Sequence, residues 1–170
     1  MRILVVRNDK LGDFILALPA IKTLKLSMPK SEIAVLVPAY TAPIAEFVPY
    51  IDSVIIEDNG LKKRLIKEQF DVMICLFSTF KVAIAGFLAR IKYRYAPATA
   101  FFQFFHNKRL TQRRSRSIKP EYEYNLDLVR YFLNNNGVEI NENWQPAIEI
   151  KPNKKFDSNT IIIHPGSGGG

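Results

Sequence analysis

Four short apolar runs, each followed by a turn and a stretch at helical spacing, constrain this chain more than any single residue does. RILVVR (2–7) has an unbroken, partly β-branched apolar interior, the pattern of a strand buried on both faces. It ends in the turn Asn8-Asp9-Lys10-Leu11-Gly12. From Phe14 onward Leu18, Ile21, Leu24 or Lys25, and Met28 keep helical spacing until Pro29 stops it. EIAVLV (32–37) is a second strand closed by Pro38, residues 42–48 a short helix, and SVII (53–56) a third strand. A basic amphipathic helix over 61–69 leads into DVMICLF (71–77), followed by a helix over 79–90 and a short strand near 93–95. Strands alternating with helices in this way predict βαβ units: an α/β fold with a Rossmann-like parallel sheet. Right-handed crossovers then place helices on both faces.

The regular pattern breaks at Pro97. Residues 98–119 hold an aromatic cluster, AFFQFFH, and then NKRLTQRRSRSIK without a clear period, which reads as an irregular excursion. Helical spacing returns over 121–135, with Tyr124, Leu128, Tyr131 and Phe132 on one stripe and Gly137 as a C-terminal cap. Residues 1–140 are therefore read as one domain, and the Asn-, Pro- and Lys-rich stretch 141–159 as a linker. Residues 160–170, TIII followed by His164-Pro165-Gly166-Ser167-Gly168, read as the first strand and glycine-rich loop of a second, truncated domain.

Composition narrows the function classes. Hydrophobic residues make up 48% and charged residues 24% of the chain, as in soluble globular proteins. No apolar run reaches the ~18 residues that would cross a bilayer, and the N-terminus lacks a secretory apolar region, so a cytoplasmic location is expected. The single Cys75, inside an apolar run, reads as a small buried hydrophobe; one cysteine allows neither a disulfide framework nor a CxxC metal site, and no metal is expected.

Charge is unevenly placed. The formal net charge is +8, yet residues 72–120 contain ten basic residues and no Asp or Glu, leaving 14 of the 24 basic residues against all 16 acidic ones elsewhere. An anionic partner for this segment follows: nucleic acid, a membrane surface or a phosphorylated substrate. Each single Arg in the run reads as solvated surface; the run as a whole reads as anion binding.

The first strand-to-helix turn is where open α/β sheets place ligands. It lacks GxGxxG, so it offers a carboxylate, Asp13, in place of a phosphate cradle. On spacing alone Asp13 is a helix cap. The opening RILVVRNDKLGDFILALPAIKTLKLSMPKSEIAVLV, however, resembles the N-terminus of the ADP-heptose:lipopolysaccharide heptosyltransferases, glycosyltransferase family 9. Gly12-Asp13, Leu18-Pro19-Ala20 and Pro29 match in order. YIDSVIIED resembles the family's short third strand, FDVMICLFSTFKVAIAGFLARIKYRYA its next strand and helix, and IIIHPGSG the entry to its second domain.

The resemblance implies the N-terminal half of a GT-B architecture, two Rossmann-like domains facing across a cleft. It implies inverting, metal-free transfer of a heptose from ADP-heptose to the lipopolysaccharide inner core, with Asp13 as the general base and no cofactor. A carboxylate at a helix start is favoured in its ionised form and can take the acceptor proton late, once the sugar carbon has oxocarbenium character. Lys10, Gly12, Lys62, Lys63, Arg64, Arg113, Arg114 and Arg116 then become candidates for holding the acceptor's Kdo carboxylates and lipid A phosphates. His164, Gly166, Ser167 and Gly168 become candidates for the nucleotide-sugar, as a nest of backbone N–H groups.

For Lys10 a solvated loop lysine is the plainer reading, and His106 is as readily a surface residue as a site residue. Phe101, Phe102, Phe104 and Phe105 are expected to pack under the loop, since exposing four phenylalanines is a liability; the alternative is peripheral contact with the inner membrane. With the donor domain missing, the 170-residue chain is expected to be inactive alone. Two other readings stay open: a non-catalytic anion- or nucleic-acid-binding α/β domain, which the absence of RNA-binding or helix-turn-helix patterns disfavours, and a related GT-B enzyme acting on another glycan.

Overall fold

The computed structural model describes residues 1–98, 101–114 and 118–142. Six strands form one sheet: β1 (Arg2–Val6), β2 (Glu32–Val37), β3 (Ser53–Ile56), β4 (Val72–Cys75), β5 (Tyr93–Pro97) and β6 (Lys108–Leu110). Their spatial order is β3-β2-β1-β4-β5-β6 and every pair is parallel. The helices are α1 (Leu11–Ile15), α2 (Leu18–Ser27), α3 (Ala42–Ala45), α4 (Leu61–Glu68), α5 (Phe80–Leu88) and α6 (Glu121–Asn135). This is the Rossmann-like sheet that the alternating runs predict.

The unbroken apolar strands follow from burial on two sides. Alternate side chains of a strand face opposite ways. Ile3, Val5, Ile33, Val35, Val72 and Ile74 enter a core with Phe14, Leu18, Ile21, Leu24 and, from α6, Leu128, Val129 and Phe132. Leu4, Val6, Ala34, Leu36, Met73 and Cys75 enter a second core with Leu61, Leu65, Val82 and Ala85. Helices α2 and α6 thus cover one face, and α4 and α5 the other. Gly86 lets α5 approach β4, because a Cβ there would collide with Met73 Sδ. Cys75 is fully buried and burial pushes its thiol up to about 12, so it is inert at neutral pH.

Two elements differ from their sequence pattern. The single helix expected from Phe14 to Met28 is two helices, α1 and α2, parted at Leu16–Ala17. Pro19 has no N–H to offer the carbonyl of Ile15, and its ring crowds that carbonyl, so a helix containing residue 15 cannot run on through 19. The stretch 98–119 is not wholly irregular. It contains a 3-10 turn at Phe101–Phe105 and the edge strand β6, closed against β5 by Ala98 N–H donating to Leu110 O at 2.9 Å. Asn107 pins the return: its Oδ1 accepts from Arg94 N–H at 2.9 Å and its Nδ2 donates to Lys92 O at 2.8 Å. Three residues paired only through their backbone carry no side-chain period, which is why KRL reads as loop.

Helix α6 ends as expected. Gly137 has φ 63°, and the N–H groups of Gly137 and Val138 donate to Asn134 O and Leu133 O at 3.1 and 3.0 Å, a Schellman cap. Residues 141 and 142 follow it. The linker at 141–159 otherwise lies outside the described residues, as does all of 160–170.

Candidate functional site at the carboxyl edge of the sheet

From β1 the chain winds outward through β2 to β3, then returns to lay β4 on the other side of β1. The strand order therefore reverses between β1 and β4, where the outgoing connections diverge and leave a crevice at the carboxyl edge. Both turns that border it, 7–13 after β1 and 76–79 after β4, carry polar side chains.

Arg7 organises the first turn. Its side chain is only 4% exposed, and four groups converge on its guanidinium. Nη1 donates to Glu121 Oε1 at 3.0 Å and to Asn125 Oδ1 at 3.2 Å, both from α6. Nη2 lies 3.3 Å from Asp13 Oδ1, and Nε 2.9 Å from Asp9 Oδ1. The Asp9 contact is off the hydrogen-bond line, so neither atom gains a hydrogen bond there. Burial pushes the Asp9 carboxyl above its ordinary range, against the pull of Arg7.

Asp13 occupies the first turn of α1 with its side chain 34% exposed. The N-cap position belongs to Lys10, whose side chain makes no capping bond. Asp13 is thus neither walled off nor the cap residue: Arg7 holds one oxygen, and the side chain keeps access to solvent. Gly12 is exposed beside it with open space around its Cα, and Lys10 is exposed.

Glu121 links this turn to Arg114. The same Oε1 that accepts from Arg7 accepts from Arg114 Nη1 at 2.8 Å, and Arg114 Nε donates to Gln112 Oε1 at 2.9 Å. Arg114 Nη2 is buried without a partner among the described residues. Arg114 also lines a cavity of about 580 Å³ above β4 and β5, with Phe77, Ser78, Phe80, Pro97 and His106 among its walls. An Arg beside such a cavity is suited to bind a carboxylate or phosphate.

His106 is buried in the cavity wall, 3.2 Å through Nε2 from Ser78 Oγ, and its Nδ1 has no partner among the described residues. Burial, then the nearby Arg94 charge, pushes its imidazole down to about 4, so the ring is neutral at physiological pH. A neutral ring with its proton on Nε2 donates to Ser78 and leaves Nδ1 as a bare acceptor. The unfolded chain takes up this proton near 6.5, so the fold loses stability as pH falls from 6.5 towards 4, by about 3 kcal/mol at the acid end. Acid unfolding of His106→Asn should be correspondingly shallower over that window. A slope unchanged from wild type would show that the ring titrates freely in the fold.

The other predicted residues scatter. Lys62 and Lys63 are exposed in the first turn of α4, which begins at the carboxyl edge beyond β3. Arg64 is engaged with Asp58 Oδ2 at 2.6 Å and with Ile56 O at 3.1 Å. Arg113 is exposed and lines a different hollow, between β6 and α6, with Lys119 and Asp127. Arg116, His164, Gly166, Ser167 and Gly168 lie outside the described residues. Sequence reasoning missed Arg7, Asp9, Glu121, Asn125 and Ser78. One signal was available for Arg7: a charge at the carboxyl end of a strand otherwise buried on both faces.

The strand order defines a Rossmann-like domain, with the candidate site at its switch point. No family model matches the chain. A curated Haemophilus influenzae protein named "Putative glycosyltransferase" is 45% identical over 99% of the chain and 55% of its own length. Lipooligosaccharide heptosyltransferase 2 of Haemophilus ducreyi is 30% identical over 55% of the chain and 30% of its own length. Among solved structures, a glycosyl transferase family 9 protein of Veillonella parvula matches with TM-score 0.74 and 20% identity, over 89% of the chain and 45% of its own. ADP-heptose lps heptosyltransferase II of E. coli matches with TM-score 0.71 and 20% identity, over 89% of the chain and 47% of its own. In sequence the chain is similar to a protein named as a putative glycosyltransferase, and its fold is that found in the family 9 heptosyltransferases. It spans about half the length of the first of these curated relatives.

Proposed function

We propose that this chain is the acceptor-holding, N-terminal part of an inverting heptosyltransferase of GT-B architecture, with ADP-heptose as donor and the lipopolysaccharide inner core as acceptor. One observation carries the reading: a partly exposed carboxylate stands at the switch point, tied through Arg7 and Glu121 to an arginine that lines a neighbouring cavity and whose Nη2 has no partner among the described residues. In this reading Asp13 takes the proton of the acceptor hydroxyl as it attacks the anomeric carbon, and Arg7 holds the carboxylate at its working position. Arg114 receives an anionic group of the acceptor, a Kdo carboxylate or a lipid A phosphate. Lys10, Lys62, Lys63 and Arg113 add long-range attraction for the same polyanion. The donor would be held by residues beyond those described and by a second domain.

Binding of Kdo2–lipid A and of a random oligonucleotide by the 170-residue chain, compared across a salt series, tests the acceptor assignment. Arg114→Ala should weaken lipid binding by about 10- to 100-fold, the worth of one charge-assisted pair. Arg113→Ala should change chiefly the salt slope. Equal affinity for the oligonucleotide, or an Arg114 variant that binds as wild type does, would overturn the assignment.

A further inference from the structure

Helix α5 breaks the rule for a surface helix. Its sequence, FKVAIAGFL, is apolar nearly all round, a pattern that normally marks a helix covered on every side. Its inner positions, Val82, Ala83, Ala85 and Gly86, pack on the sheet, yet Phe80, Phe87 and Leu88 point outward, with Phe80 57% and Phe87 47% exposed. The 3-10 turn lies beside it. Phe105 meets Phe80 and Phe87 edge-on at 5.9 and 5.5 Å between ring centres, so the three rings form one continuous patch, and Phe104 next to them is 75% exposed. Of the aromatic cluster that the sequence suggests is packed away, Phe105 packs and Phe104 does not.

Cations border this patch. Arg90, Lys92 and Arg94 line one hollow with Phe87 and Leu88, Arg109 is exposed on β6, and Lys81 is exposed at the start of α5. Arg94 is held in place, its guanidinium over the Phe87 ring and its Nε donating to Phe105 O at 2.6 Å. Lys81 lies 3.6 Å from Glu57; residues 72–120 themselves contain no acidic residue.

We propose that the outer face of α5 and the neighbouring 3-10 turn is a docking surface for an anionic phospholipid bilayer. The phenylalanines enter the boundary between headgroups and acyl chains, and the cations rest on the phosphates. Nine helical residues measure about 13 Å, far short of the ~30 Å hydrocarbon core, so α5 lies in the interface and does not cross it. Two copies of this chain meeting here about a two-fold axis would set basic rim against basic rim, whereas a bilayer rich in anionic lipid matches both the apolar centre and the charged border. The patch contains neither Asp13 nor Arg114 but shares Phe80 with the wall of the cavity beside Arg114, so the choice of probe has to separate the two assignments.

Flotation with vesicles of phosphatidylglycerol and phosphatidylethanolamine, against pure phosphatidylcholine, tests it. The vesicles contain no glycolipid, so failure of the acceptor assignment leaves the result untouched. The chain should float with the anionic vesicles and lose binding at high salt. F80S/F104S should bind at least about tenfold more weakly with an unchanged unfolding transition, since both rings are largely exposed. K92E/R109E should bind more weakly while Arg114→Ala binds as wild type does. The proposal is overturned by equal binding of wild type and F80S/F104S, or by equal binding to neutral vesicles. It is also overturned by a dimer that F80S/F104S dissolves, or by a longer version of the chain in which the following half abolishes vesicle binding.

Discussion

Replacing Arg7 by methionine should lower folding stability by about 3 kcal/mol, the largest effect expected of any single change at the site. The guanidinium is buried and shared by Asp9, Asp13 and Glu121, and removing one partner of a buried ion cluster typically costs about 3–5 kcal/mol because the charges left behind lose their counter-ion. The lower end applies here. The three carboxylates are 15–34% exposed, so water can reach them, and Glu121 keeps Arg114. Urea unfolding gives the number directly. A loss below about 1 kcal/mol would mean that the carboxylates rehydrate at little cost and that Arg7 is no keystone. Adding Asp9→Asn to Arg7→Met should recover part of the loss, since it removes the most deeply buried of the stranded carboxylates.

Asp13→Asn should abolish sugar transfer in a protein that joins this chain to a donor-binding half. Loss of a general base alone costs about 10²–10⁴ in rate. The change keeps the shape of the side chain and removes a single 3.3 Å ion contact at a partly exposed position, so the unfolding midpoint should hardly move. Rate and stability are therefore expected to separate: Arg7→Met harms both, Asp13→Asn only the rate. Transfer near the wild-type rate by the Asn variant would remove Asp13 from the chemistry and leave it as the anionic partner of Arg7.

Much of the site was hidden from the sequence for a definable reason. Asp13 could be singled out because its place, just past the first strand, is fixed by local pattern. Arg7, which holds it, draws its own partners from 114 residues further on in Glu121 and 118 in Asn125. Nothing in the spacing of α6 says that Asn125, next to the apolar Tyr124 and Leu126, is buried against the end of β1. In the basic run the sequence could not rank neighbours: Arg113 and Arg114 look alike, yet only Arg114 reaches Glu121 and the cavity by β4. His106 likewise acquires its buried, neutral state only from Ser78, the cavity wall and the nearby Arg94.

What the sequence determined by itself was the architecture. Runs such as RILVVR and EIAVLV can satisfy both faces only inside a covered parallel sheet, and the turn after β1, the Pro29 stop and the Gly137 cap are set by local backbone chemistry. What the tertiary structure alone decided was which charges meet, that KRL joins the sheet, and that α5 turns an apolar face outward. Those outcomes depend on pairing and packing between segments far apart along the chain, and the period of a single segment carries no record of its distant neighbours.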